Sequence, residues 1–346
     1  MVDPCGILRR TVEGLDRGPR PLHAAWRGLT DPSAVALGGA LAIAFGWAVG
    51  VAWTLTAYPP EDPALLMSSA RDGAGWLLAR VLRFSASDDE RPAVTLLGGS
   101  STMDAVAGER ALAASIAAHD GGDVEVFDLT LQGANLEDLA QLAPVAAWRA
   151  QTVTVLGVGP RTIALDPRIA ASVGKRSSRI GRPLGRTAAA VQRTPLILRN
   201  LLLGPPVPRR YYEDGRLPRE LWPREMAIPR RVLAGYDRHS DENLCRLAAI
   251  LSRLRDRGAV PVVLQPPLSP EARQWIDPAV LDGFSRDLAG LAAQAGVALW
   301  RLDRDATLST DDFYDPWHVG DPAARRRFTE ALGERLAALL RAEATG

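Results

Sequence analysis

The chain has 346 residues, 47% of them hydrophobic and 23% charged, enough to bury one large core with additions. A formal net charge of +1 excludes a global electrostatic pull toward nucleic acid or anionic membrane, so no nucleic-acid partner is expected. The two cysteines, Cys5 and Cys245, form no Cys-x-x-Cys or Cys/His cluster, which argues against a structural zinc site; neither a metal nor a cofactor is expected.

Residues 1–33 carry Arg9, Arg10, Arg17, Arg20 and Arg27. Residues 34–57 then run for 24 positions without a charge. As a helix they would extend about 36 Å, against a hydrocarbon core of about 30 Å, so they are predicted to cross a bilayer once. Trp53 and Tyr58 suit the interface, Pro59 and Pro60 end the helix, and Glu61 and Asp62 follow. The positive-inside bias keeps the N-terminus in the cytoplasm and puts everything after Tyr58 outside. A cleaved signal peptide would have a shorter apolar run, and a buried core helix is rarely apolar on every face. Cys5 and Cys245 fall on opposite sides of this span, so no disulfide is expected between them. In the linker, 58–91, the amphipathic stretch Trp76–Phe84 is expected to pack against the domain that follows.

From 92 to 346 strand-like and helix-like stretches alternate. Predicted strands are Val94–Leu97, Val124–Leu129, Val153–Leu156, Val260–Leu264 and Val297–Leu302. Predicted helices are Met103–Ala118, Leu136–Arg149, Leu244–Arg257 with Ser240 or Asp241 as cap, Leu281–Ala295, and about Pro322 to Arg341. Such alternation implies an α/β domain of about five parallel strands with helices on both faces. Ligands then bind at the carboxyl ends of the strands. Between about 160 and 236 the alternation breaks into an Arg/Pro-rich stretch, too long for an ordinary connection. It reads as an inserted cap over the site, with Glu213-Asp214-Gly215 as a turn between two short strands. Its arginines would either meet an anionic substrate or form a solvated basic loop.

Strand one ends in Leu97-Gly98-Gly99-Ser100-Ser101-Thr102 and a helix follows. Ser100 therefore sits on the strand-to-helix turn at the ligand-binding edge, where free N–H groups favour developing negative charge. Alone, this motif equally describes a helix cap or a phosphate-binding turn. Of the four histidines, His23 precedes the span, His119 lies at the opposite sheet end and His239 sits beside a predicted helix cap. His318 follows strand five, at the same edge as Ser100. Asp315, three residues earlier, can hold the imidazole Nδ1–H and leave Nε2 free to take the serine proton.

Taken together these residues resemble the SGNH, or GDSL-type, serine esterases and acyltransferases. Gly98-Gly99-Ser100-Ser101-Thr102 is similar to the family's first block, with Gly99 where Asp is usual. Leu131-Gln132-Gly133-Ala134 is similar to the second, and Asp315-x-x-His318 to the last. The resemblance implies a three-layer, flavodoxin-like domain. It implies Ser100 as nucleophile, His318 as base, Asp315 as its orienter, and the Ser100 and Gly133 N–H groups as oxyanion donors. The third block departs: Gly157-Val158-Gly159-Pro160 puts Gly159 where the family has an oxyanion-binding Asn. Asn135 is the nearest candidate to replace it. The anchored layout resembles bacterial envelope members that act on polysaccharide acyl groups beside membrane acyltransferases. It implies a single-pass protein of the inner or plasma membrane with a periplasmic or extracellular domain.

The function expected is thus an esterase or O-acyltransferase acting on acyl, acetyl-like esters of an envelope polysaccharide or lipid, with a membrane acyltransferase as a possible partner. The missing Asn motivates an alternative, a catalytically weakened module binding a glycan or an assembly partner. A phosphate-ester hydrolase is less well supported, because Asp128 is the only extra acid near the strand ends and reads as a loop support.

Overall fold

A computed structural model describes residues 91–149, 151–173, 216–303 and 305–345, with isolated positions between Ala36 and Glu90. Two compact units divide the chain, Met1–Thr56 and Ala57–Gly346. In the first, the described residues Ala36, Phe45, Gly46 and Val49 are helical, and Phe45 is 72% exposed. No helix among the described residues is long and apolar enough to cross a membrane; the stretch 34–57 lies almost wholly outside them.

The second unit is built on five parallel strands: β1 (Ala93–Leu97), β2 (Glu125–Asp128), β3 (Thr152–Gly157), β4 (Val260–Gln265) and β5 (Ala298–Arg301). Their order is β2-β1-β3-β4-β5, the doubly wound 2-1-3-4-5 arrangement. Every residue of β1 is buried, as a central parallel strand requires. Its side chains alternate between two cores. Val94 and Leu96 join Val126, Val153, Val155 and Val262 in one; Ala93 and Leu97 join Phe127, Leu156 and Val263 in the other. Thr95 and Thr154, paired in register, donate and accept a 2.9 Å side-chain hydrogen bond between neighbouring strands.

Helices cover both faces. The first connection is two helices, α1 (Ser100–Ala105) and α2 (Glu109–Ala118). The single helix expected over 103–118 is broken at Gly108, whose φ of 129° no ordinary side chain adopts. Next come α3 (Leu136–Ala146), α4 (Pro160–Ala164) and α5 (Pro167–Val173). After residue 216 follow α6 (Trp222–Glu225), α7 (Ala227–Leu233), α8 (Tyr236–Arg255), α9 (Pro270–Gln274), α10 (Pro278–Ala295) and α11 (Pro322–Thr345). Leu112 and Ile116 of α2 and Phe328, Leu332 and Leu336 of α11 fill the first core. Leu139 of α3, Leu247, Ile250 and Leu254 of α8 and Phe284 of α10 fill the second. Each such side chain contributes about 1.5–3 kcal/mol on burial.

Two expectations are corrected. Helix α8 starts at Tyr236 and not beside Ser240 or Asp241; Ser240 is buried inside it. The polar run Asp237–Asn243 hides the start, but Tyr236 is only 3% exposed and its hydroxyl donates to Asp287 on α10 at 2.8 Å. The Arg/Pro-rich stretch is also not a cap along its whole length. Pro160–Ala164 and Pro167–Val173 are helical and 219–236 pack into the body, with Trp222 fully buried against the α11 side of the sheet. Residues 174–215, including the Glu213–Gly215 turn, lie outside the described residues.

At the linker, Leu77 and Phe84 are buried in the core, as expected of the amphipathic stretch 76–84. Arg80 there meets Asp128 at 2.6 Å, and Asp128 Oδ1 accepts from the Thr130 N–H at 3.1 Å. Asp128 therefore holds the loop after β2.

Candidate active site

The loops leaving the carboxyl ends of β1, β2, β3 and β4 converge around one cleft of about 830 Å³. It opens where β1 and β3 send their connections to opposite sides, the switch point at which such sheets bind ligands. Gly99, Ser100 and Ser101 line it after β1, Gly133 and Ala134 after β2, Gly159 to Thr162 after β3, and Pro266 to Leu268 after β4. Trp317 and His318 close it.

Ser100 is the first residue of α1, directly after the β1 turn. That turn is pressed onto β3. A Cβ at Gly98 would come within 2.6 Å of Thr102 Oγ1, and one at Gly157 would overlap the Thr102 side chain. Glycine at both positions lets the helix start sit against the neighbouring strand and sets the height of Ser100 above the sheet. Thr102 N–H and Met103 N–H both bond the Gly99 carbonyl, whereas the Ser100 N–H, ahead of them, has no acceptor among the described residues.

Asp315 and His318 are a cross-strand pair. Short strands β6 (Phe313–Asp315) and β7 (His318–Val319) run antiparallel, with Asp315 opposite His318 and Pro316-Trp317 as the turn. The spacing expected to make a tight loop thus makes a hairpin. Asp315 Oδ1 accepts the backbone N–H groups of Trp317 at 2.8 Å and His318 at 3.0 Å, which fixes the carboxylate. The His318 Nδ1–H donates to it, 2.7 Å from Oδ2 and 2.9 Å from Oδ1. Nε2 is left as an acceptor, and the Ser100 hydroxyl donates to it at 2.8 Å. Leu217 N–H bonds Tyr314 O at 3.2 Å and Arg216 Nε donates to Phe313 O at 3.0 Å, so the chain returning after residue 215 braces this hairpin.

Burial presses the His318 pKa down, but the hydrogen bond and charge of Asp315, with the charge of Asp104, more than offset it. The imidazole therefore titrates above its ordinary range. Asp104 lies one turn beyond Ser100 on α1 and is fully buried. Nothing in the sequence pattern singled it out; its i+4 spacing from Ser100 was the one signal available.

Gly133 adopts φ 70°, a left-handed conformation open to glycine, and its N–H has no acceptor among the described residues. Gly133 and Ser100 both line the cleft. Asn135 does something else. Its Oδ1 accepts from Glu137 N–H at 2.9 Å and Asp138 N–H at 3.2 Å, capping α3. Its Nδ2 donates to Ala170 O at 3.3 Å, and its own N–H bonds Asp138 Oδ2 at 3.0 Å. It is a buried cap worth about 1 kcal/mol, and it also lines the cleft, with one of its two Nδ2 hydrogens given to Ala170.

At Gly159 an added Cβ would meet nothing within 4 Å, so the cleft is open where a side chain could project. Behind it α4 is held by Asn243 of α8, whose Nδ2 donates to Ile163 O at 2.7 Å and Leu165 O at 2.8 Å. The arrangement can relay a proton from Ser100 through His318 and receive an oxyanion on two backbone N–H groups. No protein-family model, no curated protein and no solved structure matches this chain.

Proposed function

We propose that this protein is a membrane-anchored serine esterase or O-acyltransferase of the SGNH type, acting outside the membrane on acyl esters of an envelope polysaccharide or lipid. The observation that carries the reading is the unbroken line Asp315–His318–Ser100, with 2.7 Å and 2.8 Å links across 218 residues of sequence. Ser100 Oγ attacks the ester carbonyl carbon while its proton passes to Nε2. The tetrahedral oxyanion forms against the Ser100 and Gly133 N–H groups. The imidazolium returns the proton to the departing alcohol, leaving an acyl-serine. Water, or an acceptor hydroxyl deprotonated by the same Nε2, releases the acyl group. Asp315 stays ionised and stabilises the transient imidazolium. The uncharged run 34–57 and the helical, outward-facing Phe45 support the anchor.

The test is covalent labelling. A fluorophosphonate probe is expected to modify the wild-type protein and to leave Ser100→Ala unmodified. A folded wild-type protein that takes up no probe would remove the reading.

One observation favours a second reading, a module that binds acylated glycan with weakened turnover: Gly159 supplies no side-chain donor to the oxyanion. Losing such a donor costs about 10²–10³ in rate. Gly159→Asn fits both the space and the φ of −101° at that position. We expect it to raise kcat for a nitrophenyl ester by about 10-fold or more. If turnover is absent in both proteins while a glycan ligand binds, the binding module is the better account.

A further inference from the structure

We propose that Arg161 is the specificity residue of this cleft and selects esters carrying an oxyanionic group, a carboxylate or phosphate, beside the acyl-bearing oxygen. This rests on the ester-transfer reading of Ser100 and narrows its substrate class.

Among the described residues, the cleft lining is otherwise without permanent charge. Its described residues are glycines, prolines, hydroxyl residues, Asn135, apolar side chains and the titratable His318; no carboxylate is among them. Arg161 is the exception, on the first turn of α4 two residues after Gly159. Several arginines of this unit meet a carboxylate: Arg80 with Asp128, Arg149 with Glu125, Arg219 with Asp311, Arg327 with Asp312. Buried Arg325 instead donates to the carbonyls of Asp104 and Val106. Arg161 has neither kind of partner among the described residues. Arg161 lines the cleft and is solvent-exposed, and desolvation by the surrounding protein lowers its pKa with no acid to offset it. A guanidinium stays protonated under such conditions and keeps its five donors.

A cation on a cleft whose described lining holds no carboxylate keeps its donors for an incoming anion. The planar donor fork matches a carboxylate or phosphate bidentately. Arg161 is also close enough for its charge to oppose protonation of His318. An anion bound there would therefore be felt at the base. Asn243 ties down the carbonyls of Ile163 and Leu165, so the short helix that carries Arg161 is held against the body of the domain.

The experiment compares three acetyl esters of one shape: 4-acetoxybenzoate, 4-acetoxyphenyl phosphate and the neutral 4-acetoxybenzamide. The readout is the ratio of kcat/KM for each anionic ester to that of the amide, in the full-length protein and in Arg161→Gln. Substitution is expected to lower the ratio by about 10- to 100-fold, mostly through KM, with Arg161→Lys retaining part of it. The larger ratio of the two anionic esters tells carboxylate from phosphate. Because each ratio is internal to one variant, a general loss of folding or basicity cancels. An unchanged ratio overturns the proposal. Should the wild type turn over none of the esters, the ester-transfer reading fails by itself. The anion preference is then read from equilibrium binding of the same three compounds to Ser100→Ala, with and without Arg161→Gln; equal affinity for all three overturns it.

Discussion

Ser100→Ala and His318→Ala are each expected to lower ester turnover by about 10⁴-fold or more, and the double variant is expected to be no slower than the worse single one. The Oγ and Nε2 atoms, 2.8 Å apart, form one proton-transfer unit. Removing either end disables the whole, so the second removal takes away nothing that still works. Residual rate comes from the Ser100 and Gly133 N–H groups, which both substitutions leave in place. Steady-state kinetics on a nitrophenyl ester, corrected for background hydrolysis, measures the cycle. Additive losses would mean that serine and histidine act independently and that the hydrogen bond between them carries no chemistry.

Asp315→Asn is expected to cost about 10³–10⁴ in kcat while leaving the fold intact. The amide is nearly isosteric, and its oxygen can still accept the two backbone N–H groups at the hairpin turn. What changes is the imidazole. A carboxamide can donate to Nδ1, which would place the proton on Nε2 and turn the base away from Ser100. The pH profile gives an independent readout. Burial lowers the His318 pKa, and the Asp315 bond and charge, with Asp104, raise it beyond that loss. The base works in its neutral form, so activity rises with pH along a limb set above the ordinary histidine value of about 6.5. Without the Asp315 charge that limb moves to lower pH. A limb that stays in place would show that His318 is not the group titrating.

Several features of this arrangement are legible in the amino-acid sequence. Asp315 and His318 are three residues apart, and short-range geometry alone brings them together. The strands announced themselves by apolar runs bounded by glycine and proline, because β1 and β3, buried on both faces, admit little polarity. Ser100 stood out because a strand, two glycines and a helix start define a position on the sheet edge. Other features were not legible. Met103–Ala118 has uninterrupted helical periodicity apart from Gly108, and one glycine inside a helix is ordinary; only the packing of α1 against β7 and α2 against β2 shows why the chain breaks there. Asn135 could be read as a donor because its type fits that role, while capping depends on where α3 begins. Arg161 was one arginine in an arginine-rich stretch until α4 placed it at the cleft.

By itself the amino-acid sequence determined the five strands of the main sheet, the sheet edge that carries Ser100 and the local pairing of Asp315 with His318. These follow from side-chain periodicity, backbone preference and spacings of a few residues. The tertiary structure alone decided that His318 reaches Ser100 across 218 positions, that Asn135 is a cap, and that Arg161 lines the cleft. Such contacts depend on strand order and on how each helix seats on its face of the sheet. Those are set by the sum of many weak packing terms, which no short stretch of chain contains.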